Sequence, residues 1–298
     1  MNTLFILLLV ILGYFLKKVD IIEKKAADSL IDIVFYIFLP ATLFYSLINL
    51  ELKPELLLLP LSGFSVALIC YGFGFLIANW LKLEQKTEGI FLVSCGAMNQ
   101  ALFVYPFFLI YLGTKGLAYA AFYDIGQASL SLTLGYYIAI KYGRNSGSVR
   151  KVITHLMNFP PLWGFVIGLS ANYFNIYPFI SSIIPFIEIL HNCTTPLIML
   201  SLGIFLEPKI EKLNAMLAVI FTRFLFSIGI AYLLALILSL HGMERLTVLI
   251  ASATPPAMLV LVYSVKEHLD TEFTAALLSI CICIGLIYTP FLFSILLQ

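Results

Sequence analysis

This sequence predicts an all-α integral membrane protein: ten transmembrane helices, built as two inverted five-helix repeats, with the fourth and ninth helices broken where they cross. Three observations predict it. Apolar stretches long enough to span lipid recur from one end to the other, basic residues gather on alternate loops, and residues 156 apart match in type.

Hydrophobic residues make up 61% of the 298 and charged residues 11%, against roughly half and a quarter in soluble domains. Such a chain suits lipid as its solvent. A hydrocarbon core roughly 30 Å thick takes about 17 to 25 apolar residues per helix. The expected spans are 2–16, 30–49, 56–81, 88–112, 116–140, 158–175, 182–206, 214–240, 245–264 and 271–297. They read as helices because a barrel would show alternating segments of about ten residues. The first span has the look of a signal-peptide core, but no charged residue precedes it and no small-residue cleavage site follows, so it is expected to be retained.

The net charge of +1 makes nucleic acid an unsuitable partner and leaves the bilayer as the surroundings. Where the charges fall says more. Of the 17 Lys and Arg residues, 13 follow odd-numbered spans, three follow even-numbered spans, and Arg223 lies inside one. Basic loops stay in the cytoplasm, so the protein is expected to be a multi-pass protein of the cell membrane with both termini on the extracytoplasmic side. Cys70, Cys95, Cys193, Cys281 and Cys283 all fall within spans and read as small buried apolar residues, without disulfide or zinc spacing.

Adding 156 to a residue number repeatedly lands on a related residue. Pro40 maps to Pro196, Glu51 to Glu207, Lys53 to Lys209, Glu55 to Glu211 and Leu57 to Leu213; Glu88, Ala97, Ala101 and Val104 map to Glu244, Ala253, Ala257 and Val260. The first repeat is then 1–142 and the second 152–298, joined by the polar stretch GRNSGSVRK at 143–151. Five spans is an odd number, so the second copy is inverted, as in secondary transporters with a midplane site.

The repeat brings the two oddest stretches of the chain into register: TPP at 254–256 aligns with Met98, Asn99 and Gln100. Pro255 and Pro256 remove two backbone donors and clash with the preceding turn, which strands carbonyls near Ile250 to Ala253. In the fourth span Gly96 loosens the helix, Asn99 and Gln100 bring amide donors and acceptors, and Pro106 follows. Unwound backbone at membrane depth is tolerated where protein or a water-filled cavity surrounds it. Two such breaks can cross near the midplane, with half-helix N-termini that attract an anion. The bland reading of any single intramembrane proline is a kink in a packed helix. The expected substrate-binding residues are Met98, Asn99, Gln100, Thr254, Pro255 and Pro256, with Gln127 beside them.

The residues also resemble a known family. GYFLKK ends the first span, FLPATLFYSL lies in the second, Asn99 is followed by Pro106 in the fourth, and ATPPAMLVLVYSVKEH fills the ninth. Together they look like the auxin efflux carrier family of membrane transport proteins, whose prokaryotic members are often described as malate or malonate permeases. The resemblance covers the whole chain. It implies a fold similar to that of the bile acid:sodium symporters, with a scaffold, often dimeric, formed here by 1–50 and 152–207, and a mobile transport part formed by 56–142 and 214–298. It also implies an elevator mechanism and a substrate site at the fourth-helix Asn and ninth-helix prolines, which carries over to Asn99, Pro255 and Pro256. The long cytoplasmic loop of the plant carriers has no counterpart, so their loop-based regulation does not transfer.

Ionisable groups inside a membrane are costly and are functional suspects by default. Asp124 and Gln127 share a face of the fifth span, and a buried Asp124 could carry a coupling proton or bind a sodium ion; the structural alternative is a hydrogen bond to unwound backbone. No other cofactor is expected. Glu188 and His191 form a weak Glu-x-x-His pair, and Asp32 corresponds to Glu188 at the repeat offset. Hydrogen bonding within the scaffold is the plainer role for them. Arg223 could balance an organic anion, but from the start of the eighth span the expectation is that it snorkels to the cytoplasmic interface. Tyr105, Tyr123 and Tyr263 flank the breaks and are expected to pack, while Trp80 and Trp163 would anchor span ends at the interface.

The function expected is secondary transport of a small organic anion, with a homodimer formed through the scaffold. An ATPase is excluded by the lack of any G-x-x-x-x-G-K-[ST] sequence. The competing class is an intramembrane enzyme, which would need Asp32 and Glu188 to converge on His191. A ligand sensor would need a signalling domain for which no room is seen.

Overall fold

The computed structural model describes residues 3–143 and 158–297, without the side chains of Thr3 and Lys24. From residue 144 onward the expected join at 143–151 lies outside the described residues. The regular elements described are helices, together with one isolated antiparallel bridge between Met98 and Pro256.

Six stretches are long and apolar enough to cross a membrane among the described residues: Lys25–Leu47, Pro54–Leu81, Gln100–Tyr142, Ile184–Phe205, Leu213–Ile237 and Thr271–Leu296. Two further expected spans are helices of 16 and 14 residues, Thr3–Lys18 and Pro160–Tyr173. The fourth and ninth are divided: Gln85–Gly96 ends short of a π-helical turn at Gln100–Val104, and Gly242–Ser252 is separated from Leu259–Lys266. Gly113, at φ 66°, breaks the helix Tyr105–Leu130 between the expected spans 88–112 and 116–140. The second span differs at its start, because helix begins at Lys24 rather than 30. Its first turns expose Lys25, Asp28 and Asp32 and bury Ala27, so they lengthen the helix with an amphipathic stretch too polar for a hydropathy reading to detect.

Caps follow local chemistry. Proline opens Pro160–Tyr173 and Ile184–Phe205, where a missing N–H costs nothing. Asp270 caps Thr271–Leu296 by accepting from the Phe273 N–H at 3.1 Å. Left-handed residues mark several turns among the described residues, and six of the eight fall in pairs separated by 155 to 157 residues: Asp20 with Asn175, Lys82 with Ser239, Gly113 with His268, leaving Lys212 and Gly242 unmatched.

Contacts divide the chain into two units. The first comprises Met1–Lys53, Ala101–Ala121 and Phe159–Leu206. In it Thr3–Lys18 packs on Ile184–Phe205 through Gly13 and Gly203, each set against the other helix's backbone so closely that a Cβ would lie about 2 Å from a carbonyl oxygen. Small residues permit this approach, which is how helices associate where lipid offers no hydrophobic gain. Leu39–Leu47 packs on Pro160–Tyr173, and Asn172 Nδ2 donates to the carbonyls of Leu47 and Leu50 at 2.6 and 2.8 Å.

The second unit comprises Pro54–Gln100, Phe122–Asn158 and Glu207–Gln298. Leu58–Leu81 packs on Gln85–Gly96, and Ser227–Ile237 on Gly242–Ser252. At one end Lys212 Nζ lies 2.6 Å from Asp270, which also accepts from Thr87 at 2.7 Å. Those three residues follow the seventh, ninth and third expected spans, all odd-numbered.

Large apolar side chains cover much of the outer surface, among them Trp80, Phe179 and Ile287. A water-soluble protein would bury such a surface, and lipid accepts it. One expectation needs correcting here: Cys193 is exposed on Ile184–Phe205 and Cys283 is half-buried, while Cys70, Cys95 and Cys281 are buried as expected. The helical period turns Cys193 outward, and a thiol on an apolar surface is as acceptable as one in the core.

Candidate functional site

The interrupted helices of the second unit meet at their interruptions. Asn99 N–H donates to Pro255 O at 3.0 Å and Ala257 N–H to Ala97 O at 3.1 Å, forming the short antiparallel bridge centred on Met98 and Pro256. All six expected binding residues from the breaks sit here, each 3% exposed or less where a value is given: Met98, Asn99, Gln100 and Thr254, with buried Pro255 and Pro256.

The stranded carbonyls find replacement donors. Pro255 cannot supply the helical N–H for Ala251 O, and Gln100 Nε2 donates there at 2.6 Å. Pro256 leaves Ser252 O equally bare, and Arg223 Nη2 donates to it at 2.7 Å. Arg223 Nε reaches Thr254 O at 3.1 Å, and Nη1 reaches Cys95 O at 3.3 Å. An unpaired carbonyl in an apolar interior costs about 1–3 kcal/mol, so these donors permit the breaks to persist.

Gln127 and Asp124 join the same cluster. Met98 N–H donates to Gln127 Oε1 at 3.2 Å, Gln127 Nε2 returns to Met98 O at 3.4 Å, and the same amide donates to Asp124. Ser131 completes it by donating to Gln127 Oε1 at 3.0 Å. Gln127 thus clamps the first break through both backbone groups of Met98. Tyr123 donates to Met98 Sδ at 3.5 Å, and Tyr263 to Ser131 O at 3.1 Å, so both support this cluster. Tyr105 is buried in the first unit.

Two polar atoms in the cluster are buried without a partner: the Asn99 Nδ2 donor and the Gln100 Oε1 acceptor. Native interiors rarely leave such groups unpaired, and each exception calls for an explanation. The arrangement offers a solute an amide donor and an amide acceptor, on consecutive residues, in a buried place.

Arg223 overturns the snorkelling expectation, since its side chain is fully buried, at 0% exposure. Ten residues after Leu213, at about 1.5 Å each, put it roughly 15 Å along the helix, half the thickness of a hydrocarbon core and too deep to surface. The sequence did carry the signal, the single charge inside the eighth span. What it lacked was where the breaks would lie relative to it.

Asp32, Glu188 and His191 do not form a centre. Asp32 and Glu188 are exposed, and Asp32 makes no hydrogen bond or ion pair among the described residues. His191 is buried against the Tyr45 ring, with centroids 4.8 Å apart. No group of three or more potential metal ligands exists among the described residues.

The family described as membrane transport protein matches residues 1–293. An uncharacterized transporter of Methanocaldococcus jannaschii is 32% identical over 284 residues, covering 92% of this chain and 91% of that one. Another, of Methanothermobacter thermautotrophicus, is 27% identical over 294 residues, covering 97% and 95%. Family and relatives are named for transport, so the protein is no enzyme, and the reading of Asp32, Glu188 and His191 as catalytic is set aside. A multi-pass chain of apolar helices, matched from its first residue to 293, belongs to the membrane transport protein family.

Proposed function

We propose that the protein is a secondary transporter that moves a small organic anion, a carboxylate or auxin-like acid, and binds it where the fourth and ninth spans cross. The observation that carries this is the back-to-back joining of the two breaks around a buried Asn99 amide whose donor has no partner. A carboxylate would supply the missing acceptor, and hydrogen bonds to ionised groups are worth about 1.5–3 kcal/mol. The positive charge of Arg223, held at Ser252 O beside the second break, also favours an anionic solute.

In this reading ten spans form two inverted repeats, 1–142 and 152–298. The paired left-handed turns support it, as does the near coincidence of Gln85–Gly96 with Gly242–Ser252 at the 156 offset. Transport is by elevator-type alternating access, with 56–142 and 214–298 as the moving part and 1–50 and 152–207 as a dimeric scaffold. The division of contacts into two units is consistent with two bodies, although Ala101–Ala121 groups with the first. Gathering of Thr87, Lys212 and Asp270 at one end supports placing odd-numbered loops on one face, cytoplasmic by the charge rule, with both termini opposite. Asp124, tied to the first break through Gln127, is the residue proposed to carry a coupling proton.

The test is uptake of dicarboxylates and aromatic acids into proteoliposomes. Asn99→Ala is expected to lower uptake about tenfold to a hundredfold, the worth of one charge-assisted hydrogen bond, while the protein stays folded. Full uptake by this variant removes the crossing from consideration.

A further inference from the structure

Arg223 lies on the π-helical turn Thr222–Phe226, and its guanidinium is surrounded by oxygen. The acceptors are Cys95 O at 3.3 Å, Ser252 O at 2.7 Å, Thr254 O at 3.1 Å and Thr254 Oγ1 at 3.4 Å. It has no ion pair with a carboxylate among the described residues. Three of the four acceptors are backbone carbonyls at or just beyond the C-terminal ends of the two helices that stop at the breaks, Gln85–Gly96 and Gly242–Ser252.

A helix C-terminus carries partial negative charge, and freed carbonyls there form a natural cation site. In transporters with discontinuous helices, unwound carbonyls and half-helix C-termini coordinate the coupling sodium ion, their oxygens replacing its hydration shell. Here the oxygens are already taken. A guanidinium is a delocalised cation that offers five donors in a rigid fork, so one side chain can reach carbonyls of both helices.

We propose that Arg223 is a tethered cation filling the carbonyl cage between the two breaks, so that the chain itself supplies the charge a sodium ion would otherwise bring. Arg223 is a positioning residue: it fixes the carbonyls on one side of the crossing and thereby aims Asn99 and Gln100. This rests on reading the crossing as the transport site. Its consequence is that neither the fold of the breaks nor turnover depends on sodium.

Two measurements separate this inference from the transport reading. The first needs no substrate: thermal unfolding of the detergent-solubilised wild type is followed in sodium and in N-methylglucamine at equal ionic strength, and amide hydrogen exchange is followed at 97–99, 253, 254 and 257. Wild type should be indifferent to sodium. Arg223→Ala should raise exchange at both breaks at once, and low-millimolar guanidinium chloride should restore protection, since the free ion can occupy the vacated cage. Arg223→Lys, which keeps the charge without the fork, should fall between. The second is proteoliposome uptake, expected unchanged when sodium is replaced, lowered tenfold or more in Arg223→Ala, and regained in part with guanidinium. A wild type stabilised by sodium, or an alanine variant with unaltered protection at both breaks, overturns the proposal. If Arg223→Ala does not fold, the sodium comparison on wild type and the exchange of Arg223→Lys decide it. A wild type that moves no organic acid but remains indifferent to sodium would sink the transport reading and leave the tethered cation standing.

Discussion

The two breaks reach the same result by opposite means. Around Pro255 and Pro256 the ninth span is interrupted by removal of donors, leaving Ala251 O and Ser252 O without helical partners. At Met98 to Gln100 the fourth span stops where side chains with spare donors and acceptors begin, and Gln100 donates to one of those very carbonyls. One break creates the need that the other meets, and Arg223 meets the rest. Neither could stand alone in lipid, where a bare carbonyl has no water to turn to.

Variants that restore or remove one side of this relation test it. The largest effect is expected from Pro255→Ala with Pro256→Ala, which returns two backbone donors to the helix. Continuous helix across 250–260, seen as strong hydrogen-exchange protection of the new amides at 255 and 256, should accompany loss of uptake; unprotected new amides with normal uptake would mean that the prolines do not make the break. Gln100→Leu is expected to cost about 1–3 kcal/mol, because Ala251 O is left buried and unpaired, and thermal unfolding in detergent measures it. A variant as stable as wild type would show that the two breaks do not depend on each other.

Gly96→Ala sharpens the comparison from the packing side. A Cβ there would lie 2.3 Å from the Tyr71 ring, so overpacking of about 1–3 kcal/mol is expected. No comparable glycine stands at the proline break, where Ser252 and Ala253 occupy the matching positions.

The smallest effect concerns the far end of the second unit, outside the spans. Burial pushes the Asp270 carboxyl up, but hydrogen bonds from Lys212, Thr87 and the Phe273 N–H together hold it below its ordinary value. A carboxyl depressed in the folded protein stabilises it above the unfolded pKa of about 4, and that stability is lost as pH falls through the folded value. Lys212→Met should therefore flatten the decline in thermal stability below about pH 4, by no more than about 1 kcal/mol for a partly exposed pair. An unchanged acid profile would show that the pair contributes nothing.

Much of the fold was legible because lipid simplifies the code. Apolar length alone located Pro54–Leu81, Leu213–Ile237 and Thr271–Leu296 to within a few residues. The breaks were legible too, since Pro-Pro and Asn-Gln are conspicuous in apolar sequence. Lys24–Ile33 was shortened in the reading because its opening turns are amphipathic, and Arg223 was misplaced because hydropathy does not report depth or facing.

By itself the sequence determined which segments are helical and where two of them must stop, because those depend on local hydrophobicity and on proline's missing N–H. Only the tertiary structure decided which donor meets which stranded carbonyl. Gln100 and Ala251 are 151 residues apart, and Arg223 and Cys95 are 128 apart. Such pairings exist only once the interrupted helices meet, and no local rule of propensity or spacing contains them.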